Sequence, residues 1–272
     1  MHMRKTLATL VLSCFLSISF ADINVNVVKY FNGEAGCFIL YDLMTAKRLT
    51  EYNPNHCKLR VSPNATFDVA LSLMAFDQNV INEGSLFTWD GKQWSTPSWN
   101  QNQNPETWLT SSVAWVSQTL TPLLGMNKIN SYLKIFDYGN QDFSGDKGKN
   151  NGLTNAWLES SLQISAEEQM NFLNKLIDNN LPVSKAAMSY TKENMYLETS
   201  PKGWMLYGKT ASGKDPNLAW PEGWFMGFVE NGNKAYGFVL NFVDTQPPET
   251  DEDPGLLAKD KVKGILTELG YY

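Results

Sequence analysis

Strand-like segments at both ends of the chain, with helical patterning between them, predict an α+β fold. The expected sheet is antiparallel, formed by both chain ends, with flanking helices and an inserted helical subdomain. Three observations carry this. Apolar runs of strand length occupy residues 37–41 and 47–50 near the start and 204–210, 223–228 and 236–242 near the end. Apolar stripes at 3–4 residue spacing run from residue 62 to about 180. A last stripe, Ala258, Val262, Ile265, Leu266 and Leu269, closes the chain. With 272 residues, 43% of them hydrophobic, there is enough apolar material for a sizeable core.

The first 21 residues read as an export signal. Arg4 and Lys5 give a positive start, residues 7–20 are apolar, and Ser19-Phe20-Ala21 supplies the small-x-small cleavage pattern. The apolar run is shorter than the roughly 18–20 residues needed to span a membrane. Cys14 faintly resembles a lipoprotein box, but the apolar stretch continues past it. The remaining 22–272 segment is expected to be one domain in a periplasmic or secreted protein. Arg4 and Lys5 leave with the signal and no acid does, so 20 basic and 28 acidic groups remain, a net charge of −8. That balance gives no reason to expect a nucleic-acid partner.

His2 leaves as well, so His56 is the sole histidine of the exported chain. Sites with two histidine ligands are excluded, and no metal is expected. Cys37 and Cys57 remain. An oxidising compartment favours a disulfide between them over two buried thiols.

Taken in order, Val25-Asn26-Val27-Val28 reads as a strand piece, followed by strands at 37–41 and 47–50 with a hairpin-like link at 42–46. Ser62 before Pro63 reads as a helix N-cap, with Phe67, Leu71, Met74 and Ala75 on the apolar face. Ile129, Tyr132, Leu133 and Phe136 form a second stripe. Ser165 and Glu168 make a capping box ahead of Leu173, Leu176 and Ile177. Strands resume near Leu197, with a turn at Asn231-Gly232. The acidic, Pro-rich residues 245–254 read as a surface loop, and no internal repeat is visible.

Four motifs then fall in a recognisable order. The first is Ser62-Pro63-Asn64-Ala65-Thr66-Phe67-Asp68, and the second is Ser111-Ser112-Val113-Ala114-Trp115-Val116-Ser117. Phe136-Asp137-Tyr138-Gly139-Asn140 is the third. Tyr207-Gly208-Lys209-Thr210-Ala211-Ser212-Gly213 is the fourth. With Trp157-Leu158-Glu159-Ser160-Ser161-Leu162, this set resembles the class D (oxacillinase-type) serine β-lactamases over nearly the whole mature length. The resemblance implies a β-lactamase/penicillin-binding-protein-like fold.

It also implies a mechanism. In that family the first motif is Ser-x-x-Lys. The serine attacks the lactam carbonyl, and the lysine, carboxylated by CO2, is the general base; i, i+3 spacing on a helix puts the two on one face. Ser112 maps to the proton-relaying serine. Lys209 and Thr210 map to the contacts for the substrate carboxylate, and the N–H groups of Ala65 and Ser212 to the oxyanion hole. Trp157 maps to the tryptophan that hydrogen-bonds the carboxylated lysine, and Tyr138 and Asn140 of the third motif are placed with the substrate-binding positions.

The departures sit at the chemistry. Ala65 stands at the nucleophile position and has no oxygen. Asp68 stands at the base position, where the family's CO2-derived carbamate cannot form, so no cofactor is expected. Ala114 replaces a usual valine, and Ala211 a usual glycine whose added methyl is expected to crowd a bound lactam. Thr66 is rotated about 100° around the helix from Ala65, and His56 shows no partner. Blander readings stand beside these. Trp157 reads as a core aromatic, Ser112 and Lys209 as a satisfied buried pair, Tyr138-Gly139-Asn140 as a tight turn and Lys259 as a surface lysine. A positive pocket around Lys209, attractive to anions, is slightly preferred to an inert one.

The resulting expectation is an exported class D homologue without hydrolytic competence, with binding of β-lactams or peptidoglycan-like molecules retained. The alternatives are an active penicillin-hydrolysing enzyme and an envelope interaction protein that uses the fold as a scaffold.

Overall fold

The computed structural model describes residues 26–214, 220–245 and 252–272. The expected export signal at 1–21, with Cys14, lies outside them, as do Val25 and residues 246–251 of the acidic loop.

Strands β1 (Ala35–Asp42) and β2 (Lys47–Tyr52) form the predicted first hairpin. A single turn, α1 (Pro54–Cys57), follows. The helical block comprises α2 (Phe67–Asp77), α3 (Pro105–Thr110), α4 (Ala114–Leu124), α5 (Met126–Phe136), α6 (Gly152–Asn155), α7 (Ala166–Ile177) and α8 (Lys185–Asn194). The chain then returns to the sheet with β3 (Tyr196–Thr199), β4 (Met205–Lys214), β5 (Pro221–Asn231) and β6 (Lys234–Val243). It ends in α9 (Pro254–Glu268).

The sheet has six strands in the order β2-β1-β6-β5-β4-β3, all antiparallel neighbours. β1 lies beside β6, so the two chain ends do build one sheet. Side chains alternate across each strand. Phe38, Leu40, Phe225, Leu240 and Phe242 pack with Ala258, Val262 and Ile265 of α9. Ile39, Trp224, Met226 and Val239 face the helical block. Both faces are covered, which is why the inner strands read as continuous apolar runs rather than as alternating ones.

The stripe of α5 is buried as predicted. So is the capping box of α7, where Ser165 Oγ accepts from the Glu168 N–H and the Glu168 carboxylate accepts from the Ser165 N–H. Gly139 turns the chain with φ +55°, and a Cβ there would lie 2.0 Å from the Gln163 carbonyl oxygen. Only glycine fits that close approach.

Four expectations need correction. The piece expected as a strand at 25–28 begins, within the described residues, as a 3-10 turn, Val27–Tyr30; β1 already has partners on both sides and leaves it no edge to join. Ser62 does not cap α2. Its hydroxyl donates to the Trp157 carbonyl at 2.8 Å and accepts from the Glu159 N–H at 2.9 Å, and a 3-10 turn, Asn64–Thr66, comes between it and the helix. Helix α2 is not amphipathic: every residue from Phe67 to Phe76 is buried, because the sheet side and the other helices enclose it. His56 is not free, since its Nε2 lies 3.1 Å from Asn241 Oδ1. Burial holds its pKa below the usual histidine value, with Asn241 opposing.

Cys37 and Cys57 are joined as a disulfide that ties β1 to α1 across a separation of 20 residues. Closing a loop of that size restricts the unfolded chain and thereby stabilises the fold by about 3 kcal/mol. Cys57→Ser is therefore expected to lower the thermal midpoint by roughly 6–12 °C. Scanning calorimetry of the variant, and of the unaltered protein with and without reductant, checks this; an unchanged midpoint would show that packing alone holds α1.

Candidate functional site

The first motif runs from the 3-10 turn into α2, and that turn rests against β4. Asn64 has φ +46° and is buried. A Cβ on Gly213 would lie 2.1 Å from the Asn64 amide nitrogen, so the glycine lets the strand meet the turn. Ala65 follows, half-buried, and presents only a methyl group. Asp68, one turn later, is 1% exposed.

Two segments converge on Asp68. Ser117 Oγ, from α4, donates to its Oδ1 at 2.7 Å and itself accepts from Trp108 Nε1 at 2.9 Å. Lys209 Nζ, from β4, stands 3.7 Å from Oδ2, an ion pair beyond direct hydrogen-bond reach. Among the described residues Oδ2 accepts no hydrogen bond. Lys209 is also 1% exposed, and its Nζ donates to Ser112 Oγ and to the Thr210 carbonyl, the latter at 3.0 Å.

The two charges oppose a common burial cost. Burial pushes the Asp68 carboxyl up to about 6, with Lys209 and Ser117 holding it lower than burial alone would. Burial pulls Lys209 down to about 8, with Asp68 resisting. Asp68 thus supplies the counter-charge that keeps a buried lysine protonated near neutral pH. The expected anion-attracting pocket is corrected by this arrangement: the Lys209 charge is enclosed and matched, not presented.

The structure brings Ala65, Asp68, Ser112 and Lys209 together and distributes the other predicted residues around them. Ser112 occupies the turn between α3 and α4 with φ +51° and is half-buried. Thr210 is half-buried. Ser212 is exposed, and its hydroxyl donates to Asp253 Oδ1 at 2.7 Å and accepts from the Gly255 N–H at 3.0 Å, tying β4 to the start of α9. Ala211, two residues along β4 from Lys209 and on the same face of the sheet, is 2% exposed and packs in the core on the helical-block side.

Trp157 lies in an aromatic core against Phe67 and Phe143, with centroids 5.4 and 5.9 Å away. Tyr138 is fully buried between Phe67 and Phe172, and burial raises its hydroxyl pKa. Asn140 holds the following loop: its side chain donates to the Ser161 carbonyl at 2.8 Å and accepts from the Gln163 N–H at 3.0 Å. Asn140 therefore fixes residues 161–163 of that segment, and Tyr138 packs within the aromatic core. Lys259 pairs with Glu198 at 3.3 Å, on the α9 side of the sheet.

Ser117 and Trp108 were not foreseen. A serine in an apolar helix carries no spacing signal that pairs it with a carboxylate 49 residues earlier. The tryptophans beside the second motif were missed too. Trp99 Nε1 donates to the Ser111 carbonyl at 2.9 Å, Trp115 Nε1 donates to the Trp99 carbonyl at 3.1 Å, and Trp94 meets Trp99 edge-on at 5.4 Å. No group of three or more His, Cys, Asp or Glu side chains among the described residues is arranged to hold a metal.

Comparison with known proteins gives a consistent picture. Residues 36–267 match the pattern of the penicillin binding protein transpeptidase domain. The chain is 50% identical over 220 residues to β-lactamase OXA-1 of Escherichia coli, covering 80% of this chain and 79% of that protein. The solved structure of class D β-lactamase BAT-2 superposes with a TM-score of 0.81 at 30% identity, covering 93% of this chain and 99% of that one. The C-terminal domain of the Bacillus licheniformis BlaR penicillin-receptor also gives 0.81, at 31% identity, covering 91% and 96%.

Removing the Asp68 carboxylate is expected to destabilise the protein by about 3 kcal/mol near pH 7, because Lys209 is left as an unpaired buried charge. The folded state gives up the Lys209 proton near 8 while the unfolded chain holds it to 10.5, so stability from this group rises with pH across that window. Asp68 has the opposite slope, its folded form holding a proton to about 6 against 3.8 unfolded, and costs stability as pH rises between those values. The Asp68→Ala deficit should therefore shrink above about pH 9, where Lys209 is already neutral. Urea unfolding of both proteins across this range measures it; a deficit independent of pH would contradict the assignment.

Proposed function

This chain belongs to the penicillin-binding-protein transpeptidase family and, within it, to the class D β-lactamases, and on that premise we propose that it is a member without β-lactam hydrolysis. The observation that carries the reading is the pairing of Ala65 at the nucleophile position with a buried Asp68 committed to Lys209.

Serine-dependent lactam cleavage needs a hydroxyl to form the acyl-enzyme and a base to take its proton. Ala65 supplies no oxygen. The hydroxyls nearest it in sequence are engaged elsewhere. Thr66 Oγ1 donates to the Pro63 carbonyl at 2.7 Å and accepts from Gln169 Nε2 at 2.7 Å, while Ser62 bonds Trp157 and Glu159. Asp68 carries two claims on its charge, from Ser117 and Lys209, so its role is to neutralise the lysine and not to activate water.

Noncovalent binding of β-lactams or peptidoglycan-like molecules is supported by the half-buried Ser112 and Thr210 beside Lys209. The apolar leader at 1–21 and the disulfide between Cys37 and Cys57 support an exported protein in an oxidising compartment. Among the described residues no helix is long and apolar enough to cross a membrane.

Nitrocefin and penicillin turnover by purified protein tests the reading. The unaltered chain is expected to hydrolyse neither above the buffer rate, and sustained hydrolysis would overturn the proposal. The double variant Ala65→Ser with Asp68→Lys should gain at least a thousandfold, since a missing nucleophile and base together account for about 10⁶ in comparable sites. A gain of that size locates the defect at these two positions.

A further inference from the structure

We propose that Ser112 and Lys209 form a serine–lysine dyad able to take an acyl group from an activated ester, with Ser112 as nucleophile and Lys209 as base. This rests on the reading that the family's own nucleophile position is chemically empty, and it assigns a second, different acyl-acceptor oxygen within the same site.

Three observations about geometry carry it. Lys209 Nζ is in direct hydrogen-bond contact with Ser112 Oγ, with the Thr210 carbonyl as a second partner that fixes the amine. Ser112 is half-buried and the lysine almost wholly so, and the Ser112 hydroxyl also reaches the Thr210 carbonyl at 3.4 Å. Ser112 also holds a left-handed backbone, φ +51°, a conformation that costs a non-glycine residue energy and is found enriched at reactive positions. A hydroxyl held against a desolvated amine is the arrangement a lysine-activated nucleophile requires.

The step balances as follows. With Lys209 neutral, its lone pair accepts the Ser112 hydroxyl proton as Oγ adds to the ester carbonyl carbon. The tetrahedral adduct then expels the alkoxide or phenolate leaving group. One Oγ–acyl bond forms, one acyl–oxygen bond breaks, and the proton ends on Lys209 as ammonium. No oxidant or co-reactant is involved.

Asp68 sets when this happens. It faces Lys209 from α2, with Ser117 of α4 bonded to its other oxygen, and Asp253 adds a weaker attraction from the start of α9. While Asp68 holds the lysine protonated, the base is blocked. Loss of the lysine proton, near 8, releases it. The dyad is therefore silent in mild acid and available in mild base.

p-Nitrophenyl acetate is a suitable probe. Acid-quenched samples of the full chain, digested and mapped by mass spectrometry, should carry one acetyl group on the peptide containing Ser112. Alkaline hydroxylamine should remove it, because it is an oxygen ester; acetyl groups on surface lysines are amides and persist. Labelling should be roughly a hundredfold faster near pH 9 than near pH 6, following the fraction of neutral lysine. Ser112→Ala, shown by circular dichroism to be folded, should lose the labile label. No labile acetyl on that peptide of the unaltered protein, or one whose rate ignores pH, overturns the dyad, and neither result depends on a variant folding. The two readings fail separately. Nitrocefin hydrolysis that persists in Ser112→Ala would sink the loss of lactamase activity alone, whereas absence of the labile acetyl would sink the dyad alone.

Discussion

Burying the ammonium of Lys209 without an anion beside it would cost several kcal/mol, and much of the site is organised around avoiding that cost. The lysine sits on an inner strand whose side chains on that face point into the helical block, at 1% exposure. Asp68 reaches it from α2, Ser117 and Trp108 hold the carboxylate, and Ser112 and the Thr210 carbonyl take the amine's protons. α2, α4, the turn before α4 and β4 are thereby joined through one buried polar cluster. A carboxylate occupied in balancing a lysine is a poor base, and an amine so balanced is a base only after it loses its proton.

Around this pair the scaffold is held by backbone-directed contacts more than by charge. Ser62 bonds the Trp157 carbonyl and the Glu159 N–H, while Trp224 Nε1 donates to the Ser62 carbonyl at 3.1 Å. Asn140 and Gly139 fix the loop that carries Ser161 and Gln163. Phe67, Tyr138, Phe143, Phe172 and Trp157 fill the space between that loop and α2. None of these contacts passes through the Ala65 side chain.

How legible each part was depends on how it is solvated. Helices α5 and α7 have one wet face and one dry face, so their period was visible and their positions were read correctly. Helix α2 is dry on all sides, which erases the period; its start was misjudged by giving Ser62 a capping role that the Trp157 carbonyl had already claimed. The piece expected at 25–28 has strand composition, but β1, the strand that follows it, already has partners on both sides. Within the site, Ala65, Asp68, Ser112 and Lys209 were legible because they fall in motifs with fixed spacing. Ser117, Trp108 and the His56–Asn241 contact were not, since each depends on residues far apart in the chain.

The sequence alone determined the family, the sheet made by both chain ends, and the absence of a side-chain hydroxyl at residue 65, since these follow from residue type and order along the chain. Whether Lys209 presents its charge to a ligand or spends it internally was decided only by the tertiary structure. Strand pairing turns the lysine inward, helix packing places Asp68 against it, and the low polarity between them makes the pair's mutual attraction the dominant electrostatic fact of the site.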